Sequence, residues 1–191
     1  MEIRVPLTML DPITALIVID LQKGIAIPPT VHPVDEVVAN ARILASKFRS
    51  QRLPVVLVNV AGGARGRSEQ AAPSNRPEGW TELLPDLDLR DSDILITKRT
   101  WGAFTNTDLD VILRRHHVTN VVLVGIATSM GVESTARQAY ELGYNVTIAL
   151  DAVTDRNNEA HVNSTERIFP KLAETGSTAQ IVSLLESDGG A

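Results

Sequence analysis

The chain alternates between short unbroken apolar runs and longer stretches whose apolar residues recur at helical spacing. Ala15 to Ile19 is a run rich in β-branched residues, closed by Asp20. Pro54 to Val60, Asp93 to Thr97, Val118 to Val124 and Asn145 to Leu150 repeat the pattern, the last closed by Asp151. Runs of this length without polar alternation read as strands buried on both faces. Between them, Asp35 to Gln51 places Val37, Val38, Ala41, Leu44, Ala45 and Phe48 on one side of a helix, with an acid near its start. Further helices are expected from Asn106 or Thr107 as cap to about His116, from Ser129 to Leu142 with Gly143 as the stop, and from Asn158 to Leu172. Ser177 to Leu185 reads as a final strand or a short helix. Strands that alternate with helices specify an α/β fold, a parallel sheet with helices on both faces.

Residues 61 to 90 break the alternation. They lack periodicity and are rich in Gly, Pro, Arg, Ser and Asn. Loops this long inside a compact domain tend to carry function or to move.

Composition narrows the possibilities. At 191 residues the chain is expected to form one domain with a full core. A net charge of −5 argues against a nucleic-acid or membrane partner, either of which needs a basic face. No signal-peptide pattern or apolar run near membrane-spanning length stands out, so a cytoplasmic location is expected. The chain contains no cysteine, which removes disulfides and thiolate chemistry together.

Three polar features fall where strands end: Asp20, Lys98, and the turn from Gly125 to Gly131, whose backbone N–H groups open a helix. Open parallel sheets bind ligands at the carboxyl ends of their strands. A carboxylate, an ammonium and N–H donors meeting there suit a reaction that moves a proton and develops negative charge. Ser129 and Ser134 are weak substitutes for a nucleophile, because no Gly-x-Ser-x-Gly elbow surrounds either. His32, His116, His117 and His161 lack metal-ligand spacing, and the His116–His117 pair closes a helix where positive charge suits the dipole. Leu109, Ile112 and Leu113 fit either the core or an interface.

The order Ile17-Val-Ile-Asp-Leu-Gln22, then Lys98-Arg-Thr-Trp-Gly-Ala-Phe104, then Gly125-Ile-Ala-Thr-Ser-Met-Gly-Val-Glu-Ser-Thr-Ala136 resembles the isochorismatase-like hydrolase superfamily. That group includes nicotinamidases, N-carbamoylsarcosine amidohydrolases and isochorismatases, and the resemblance spans about residues 10 to 185. It implies a three-layer α-β-α fold around a six-stranded, mainly parallel, Rossmann-like sheet. It also implies an Asp–Lys–Cys site in the amidase members. Asp20 and Lys98 match the first two positions, and Gly131 stands at the third. A cis peptide is implied between Ile126 and Ala127, with the N–H groups of Ala127 and Gly131 forming the oxyanion site. The family's metal-binding members carry histidines after the second strand. Residues 61 to 90 carry none, so no metal or other cofactor is expected.

Isochorismatases that lack the cysteine act on a vinyl ether, which needs a proton and a water rather than a covalent nucleophile. The resemblance thus implies a hydrolase of a small anionic molecule, with Asp20 as general acid and Lys98 and the turn receiving a substrate carboxylate. Gln22, Trp101, Phe104, Thr128 and Arg65 are the candidate substrate-binding residues, with Arg67 an alternative to Arg65 for a second carboxylate. The stretch Thr100 to Phe104 departs from the Tyr-Ser-Ala-Phe-like stretch usual in isochorismatases. Two alternatives stay open: a degenerate (or Cys-to-Gly mutant) amidase-type member that binds a metabolite or partner without turnover, and an amidase using serine or water. The family's dimers and tetramers imply a homodimer or homotetramer here.

Overall fold

The computed structural model describes residues 6–64, 66–67 and 76–187. Each apolar run forms a strand: β1 (Thr14–Ile19), β2 (Val55–Val60), β3 (Ile94–Lys98), β4 (Asn120–Ile126) and β5 (Asn145–Thr154), joined by a short β6 (Glu174–Gly176). They build a six-stranded sheet in the order β3-β2-β1-β4-β5-β6, and every pairing is parallel.

Side chains of a strand alternate between the two faces. Ala15, Ile17 and Ile19 therefore join one core with Val56, Val58, Leu109, Leu113, Ala136, Ala139 and Phe169. Leu16 and Val18 join the other with Leu57, Val122, Leu44, Phe48 and Ile181. The helices α1 (Val34–Ser50) and α5 (Thr178–Ser187) cover this second face, while α2 (Leu109–Arg115) and α3 (Glu133–Glu141) cover the first. Burial on both sides explains the unbroken apolar runs. Leu109 and Leu113 belong to the core, and Ile112 packs against it.

Several boundaries differ from the sequence expectation. α2 starts at Leu109 with Asp108 as cap, while Thr107 Oγ1 donates to Ala103 O at 2.6 Å and accepts the Leu109 N–H at 3.3 Å. A π-helical turn, Thr128–Val132, precedes α3, because the Ser129 N–H and hydroxyl are both taken by Asp155 instead of opening a regular helix. The expected helix from Asn158 is broken into α4 (Asn158–Asn163), a π-helical turn (Ser164–Ile168) and a 3-10 turn (Phe169–Lys171). Pro170 lies in the last of these and offers no N–H to continue an α-helical ladder. The tail forms α5.

β5 runs four residues past its expected end. Between the Leu123–Ile148 and Gly125–Val153 pairs it advances five residues while β4 advances two. That irregularity turns Asp151 away from the sheet's carboxyl edge, to accept hydrogen bonds from Thr178 at the start of α5. Asp155 takes the edge position.

The chain fills the sheet outward from β1, first to β2 and β3 and then back to β4, so β1 and β4 flank the switch point where such folds bind ligands. Gly125 makes their close approach possible. Its φ is +121°, and a Cβ there would lie 2.0 Å from the Ile19 carbonyl oxygen. A side chain pays both for the left-handed backbone and for the collision. Gly125→Ala is expected to destabilise the fold by about 3 kcal/mol or more in urea denaturation; a loss under about 1 kcal/mol would show that the β1–β4 seam yields.

Candidate active site

Asp20 follows β1 directly, with φ +51°. Its N–H donates to Val58 O at 2.9 Å, and its carbonyl accepts the Gln22 N–H at 2.8 Å. Asp is among the few residue types that tolerate this left-handed conformation. Lys98 closes β3 and is 1% exposed. Its ammonium donates to Asp20 Oδ2 at 2.7 Å, to Trp101 O at 2.7 Å and to Thr100 O at 3.3 Å. All three protons are thereby committed. The other carboxylate oxygen, Asp20 Oδ1, is buried and has no hydrogen-bond partner among the described residues.

Burial and the lysine pull Asp20 in opposite directions. Loss of solvent raises its pKa and the ammonium lowers it. Burial wins, and the carboxyl is pushed up from 3.8 to about 6.

Gly131 sits against this pair. A Cβ at Gly131 would stand 3.2 Å from Asp20 Oδ2 and 3.0 Å from Ile19 Cγ2. A side chain here would thus start in contact with the acid, and glycine leaves that space open. The Ile126–Ala127 peptide is cis.

These groups line a cavity of about 660 Å³ at the carboxyl ends of the strands. Asp20, Lys98, Ile126, Ala127, Gly131 and Trp101 all border it. The other candidates stand elsewhere. Gln22 is fully buried, and its amide is consumed by backbone: Nε2 donates to Val60 O and Trp80 O, and Oε1 accepts from Val60 N. It ties β2 and the Trp80 segment to the end of β1. Thr128 is buried, with its hydroxyl on His161 Nδ1 at 2.9 Å. Phe104 packs against the core and stacks on Tyr144, because Gln138 holds its N–H toward α3. Arg65 lies outside the described residues, and Arg67 is exposed and off the cavity wall. Ser129 donates its hydroxyl to Asp155 and does not border the cavity.

The cavity also has walls that sequence reasoning missed. Trp80 lies over Gly24, where a Cβ would fall 2.1 Å from its ring. Residues 21 to 24 and 80 to 84 are zipped by backbone hydrogen bonds, including Gly24 N to Trp80 O and Leu84 N to Leu21 O. Arg76 stacks on Trp80 at 4.5 Å and anchors to Ala61 O. Asp155, Arg156 and Asn157 form the wall beyond β5. A lone Trp in a Gly- and Pro-rich stretch was the one signal of this in the sequence. Among the described residues, no group of three or more His, Cys, Asp or Glu is placed to hold a metal ion, and no helix is long and apolar enough to cross a membrane.

The Isochorismatase domain family matches residues 14–180 of the chain. The chain belongs to the isochorismatase family. The isochorismatase family protein YecD of Escherichia coli O157:H7 is 44% identical over 180 residues, covering 90% of this chain and 96% of that protein. The structure of an isochorismatase family protein from Burkholderia thailandensis superposes with a TM-score of 0.88 at 41% identity, covering 95% of this chain and 99% of that one. The ureidoacrylate amidohydrolase RutB of Pantoea ananatis is 31% identical over 170 residues, covering 73% of this chain and 68% of that protein. This isochorismatase-family chain thus has hydrolases among its relatives.

The electrostatic balance at Asp20 can be tested through stability. Its raised pKa means the folded protein holds a proton that the unfolded chain releases, so this group's contribution falls as pH rises from 3.8 through about 6. Removing the ammonium raises the pKa further and extends that loss to higher pH. Lys98→Met is expected to cost on the order of 3 kcal/mol near pH 8 and clearly less near pH 5, by urea denaturation at both. Equal losses at the two pH values would mean that the lysine does not hold Asp20's charge.

Proposed function

We propose that this protein is a cysteine-free hydrolase of a small anionic molecule, in which Asp20 serves as general acid toward a vinyl ether. One observation carries the reading: a buried carboxyl whose pKa reaches about 6 stands beside a glycine at the position the family resemblance assigns to a thiol. A group poised near neutrality suits proton transfer.

The chemistry needs only the acid and a water. Asp20 gives its proton to the terminal enol carbon, whose new C–H bond takes the π electron pair. The ether carbon becomes an oxocarbenium ion. Water adds to it, and the Asp20 carboxylate accepts the proton that the water loses. The hemiketal then breaks its C–O bond, with its hydroxyl proton passing to the leaving oxygen, to give a ketone and an alcohol.

Lys98 serves this scheme by orienting Asp20. With its three protons already committed, it does not also receive the substrate's carboxylate. That role falls to the N–H groups of Ala127 and Gly131 and to Arg76 and Arg156, which border the cavity. Trp80 and Trp101 supply apolar walls.

Similarity to a ureidoacrylate amidohydrolase favours a second reading. In it, water attacks a carbamoyl or amide carbon and Asp20 acts as the base. The two readings require opposite protonation states. The first expects kcat/KM on an anionic vinyl ether such as isochorismate to fall as pH rises through about 6, with Asp20→Asn lowering kcat about 100-fold or more. Activity on ureido or N-carbamoyl acids that instead rises through the same pH would favour the base. Binding of such anions without turnover would favour a degenerate member of the family.

A further inference from the structure

A second polar cluster grips the 127–131 turn from the connection between β5 and α4. Asp155 is 2% exposed. Its Oδ2 accepts from the N–H and the hydroxyl of Ser129, both at 2.8 Å, and its Oδ1 accepts from the N–H groups of Arg156 at 2.8 Å and Asn157 at 3.1 Å. His161, on α4, is 7% exposed, and its Nδ1 lies 2.9 Å from Thr128 Oγ1. The His161 ring meets His32 edge-on with centroids 4.9 Å apart. His32 is itself tied down: its N–H donates to Thr154 Oγ1 at 2.9 Å, and its Nδ1 faces Val153 O at 3.2 Å. Two consecutive residues of the turn, Thr128 and Ser129, are thus held from α4 and from the connection that precedes it.

We propose that Asp155 and His161 are positioning residues for this turn, Asp155 acting through Ser129 and His161 through Thr128. The assignment rests on the reading that Ala127 and Gly131 present their N–H groups to the substrate. Neither clamp needs to touch the substrate: each fixes the peptide planes that bring the flanking donors to Asp20.

The His161 clamp depends on where a proton sits. With Nδ1 unprotonated, Thr128 donates its hydroxyl hydrogen to the ring. A proton on Nδ1 reverses the bond, and the Thr128 hydrogen must find another acceptor. The surroundings favour the neutral ring. Burial and the facing His32 push His161 below the usual imidazole range, and Asp155 pulls the other way. From the turn Thr128 meets the ring, and on α3 Glu133 is engaged by Ser164 and Arg137. In the neutral ring with its proton on Nε2, His161 Nδ1 accepts the Thr128 hydroxyl hydrogen, and acidification removes that arrangement.

The test needs no substrate. In ¹⁵N-labelled protein carrying Asp20→Asn, which removes the carboxyl titration, the amides of residues 127–131 and the Cε1–H signals of the histidines are followed from about pH 8 to about pH 4.5. The turn amides are expected to shift with the His161 midpoint. Adding His161→Asn is expected to abolish that transition, and Thr128→Val to uncouple it, so that His161 still titrates while the turn amides stay flat. His161→Leu is expected to speed exchange of the turn amides about tenfold or more relative to His161→Asn. Turn amides that ignore the His161 midpoint, or that keep the transition in both variants, would overturn the proposal. A failed hydrolase reading would leave these signals untouched, since it would show only as absent turnover.

Discussion

The buried contact between Lys98 and Asp20 is the constraint on which the rest of the site depends. It spans the carboxyl edge from β3 to β1, across the end of β2, and it needs the parallel registers Val60–Lys98 and Ile19–Val58 to hold. Lysine suits the place because its apolar stem can be buried while its ammonium reaches a partner. A buried ion pair of this kind is weak evidence for stability, because desolvating both charges offsets their attraction. Its use here is chemical. Two carbonyls and one carboxylate oxygen saturate the ammonium, and the second carboxylate oxygen is buried without a partner among the described residues. Burial outweighs the pull of the ammonium and raises the Asp20 pKa to about 6.

Gly131 takes its meaning from that carboxyl. The turn that carries it follows a cis peptide, opens with a π-helical turn, and is anchored through Thr128 and Ser129 to His161 and Asp155. In the amidase members the resemblance implies a thiol at this point of the turn. Here the point is vacant, and the acid stands within contact distance of where a side chain would begin. In the proposed reading, chemistry at such a site comes from Asp20 and water, steered by backbone donors and by arginines on the walls.

Much of the fold was legible in the chain because burial leaves a local signature. A strand covered on both faces must be apolar throughout, so Ala15 to Ile19 and Val121 to Val124 could not hide; the spacing of Val37 to Phe48 likewise announces α1. That Asp20, Lys98 and Gly131 border one cavity was legible because each ends a strand or opens a helix at the sheet's carboxyl edge. What stayed hidden depends on contacts between distant segments. The extension of β5 is set by its irregular pairing with β4, so Asp151 looked like the edge carboxylate that Asp155 turns out to be. Gln22 looked like a substrate ligand because nothing local reveals that Val60 and Trp80 consume its amide. Phe104 and Trp101 are three residues apart, yet one stacks on Tyr144 and the other borders the cavity. Trp80 acquires its position from Gly24, far away along the chain.

The protonation state of Asp20 is the centre of the account, and it can be observed directly. A ¹³C NMR titration of the aspartate carboxyl carbons, with the Asp20 signal assigned by its loss in Asp20→Asn, reads its midpoint in the free protein. A midpoint near 6 is expected. A midpoint below about 4, the range of an ordinary aspartate, would leave about one molecule in a thousand or fewer protonated at pH 7, against about one in ten at a midpoint of 6, and contradict its role as the acid.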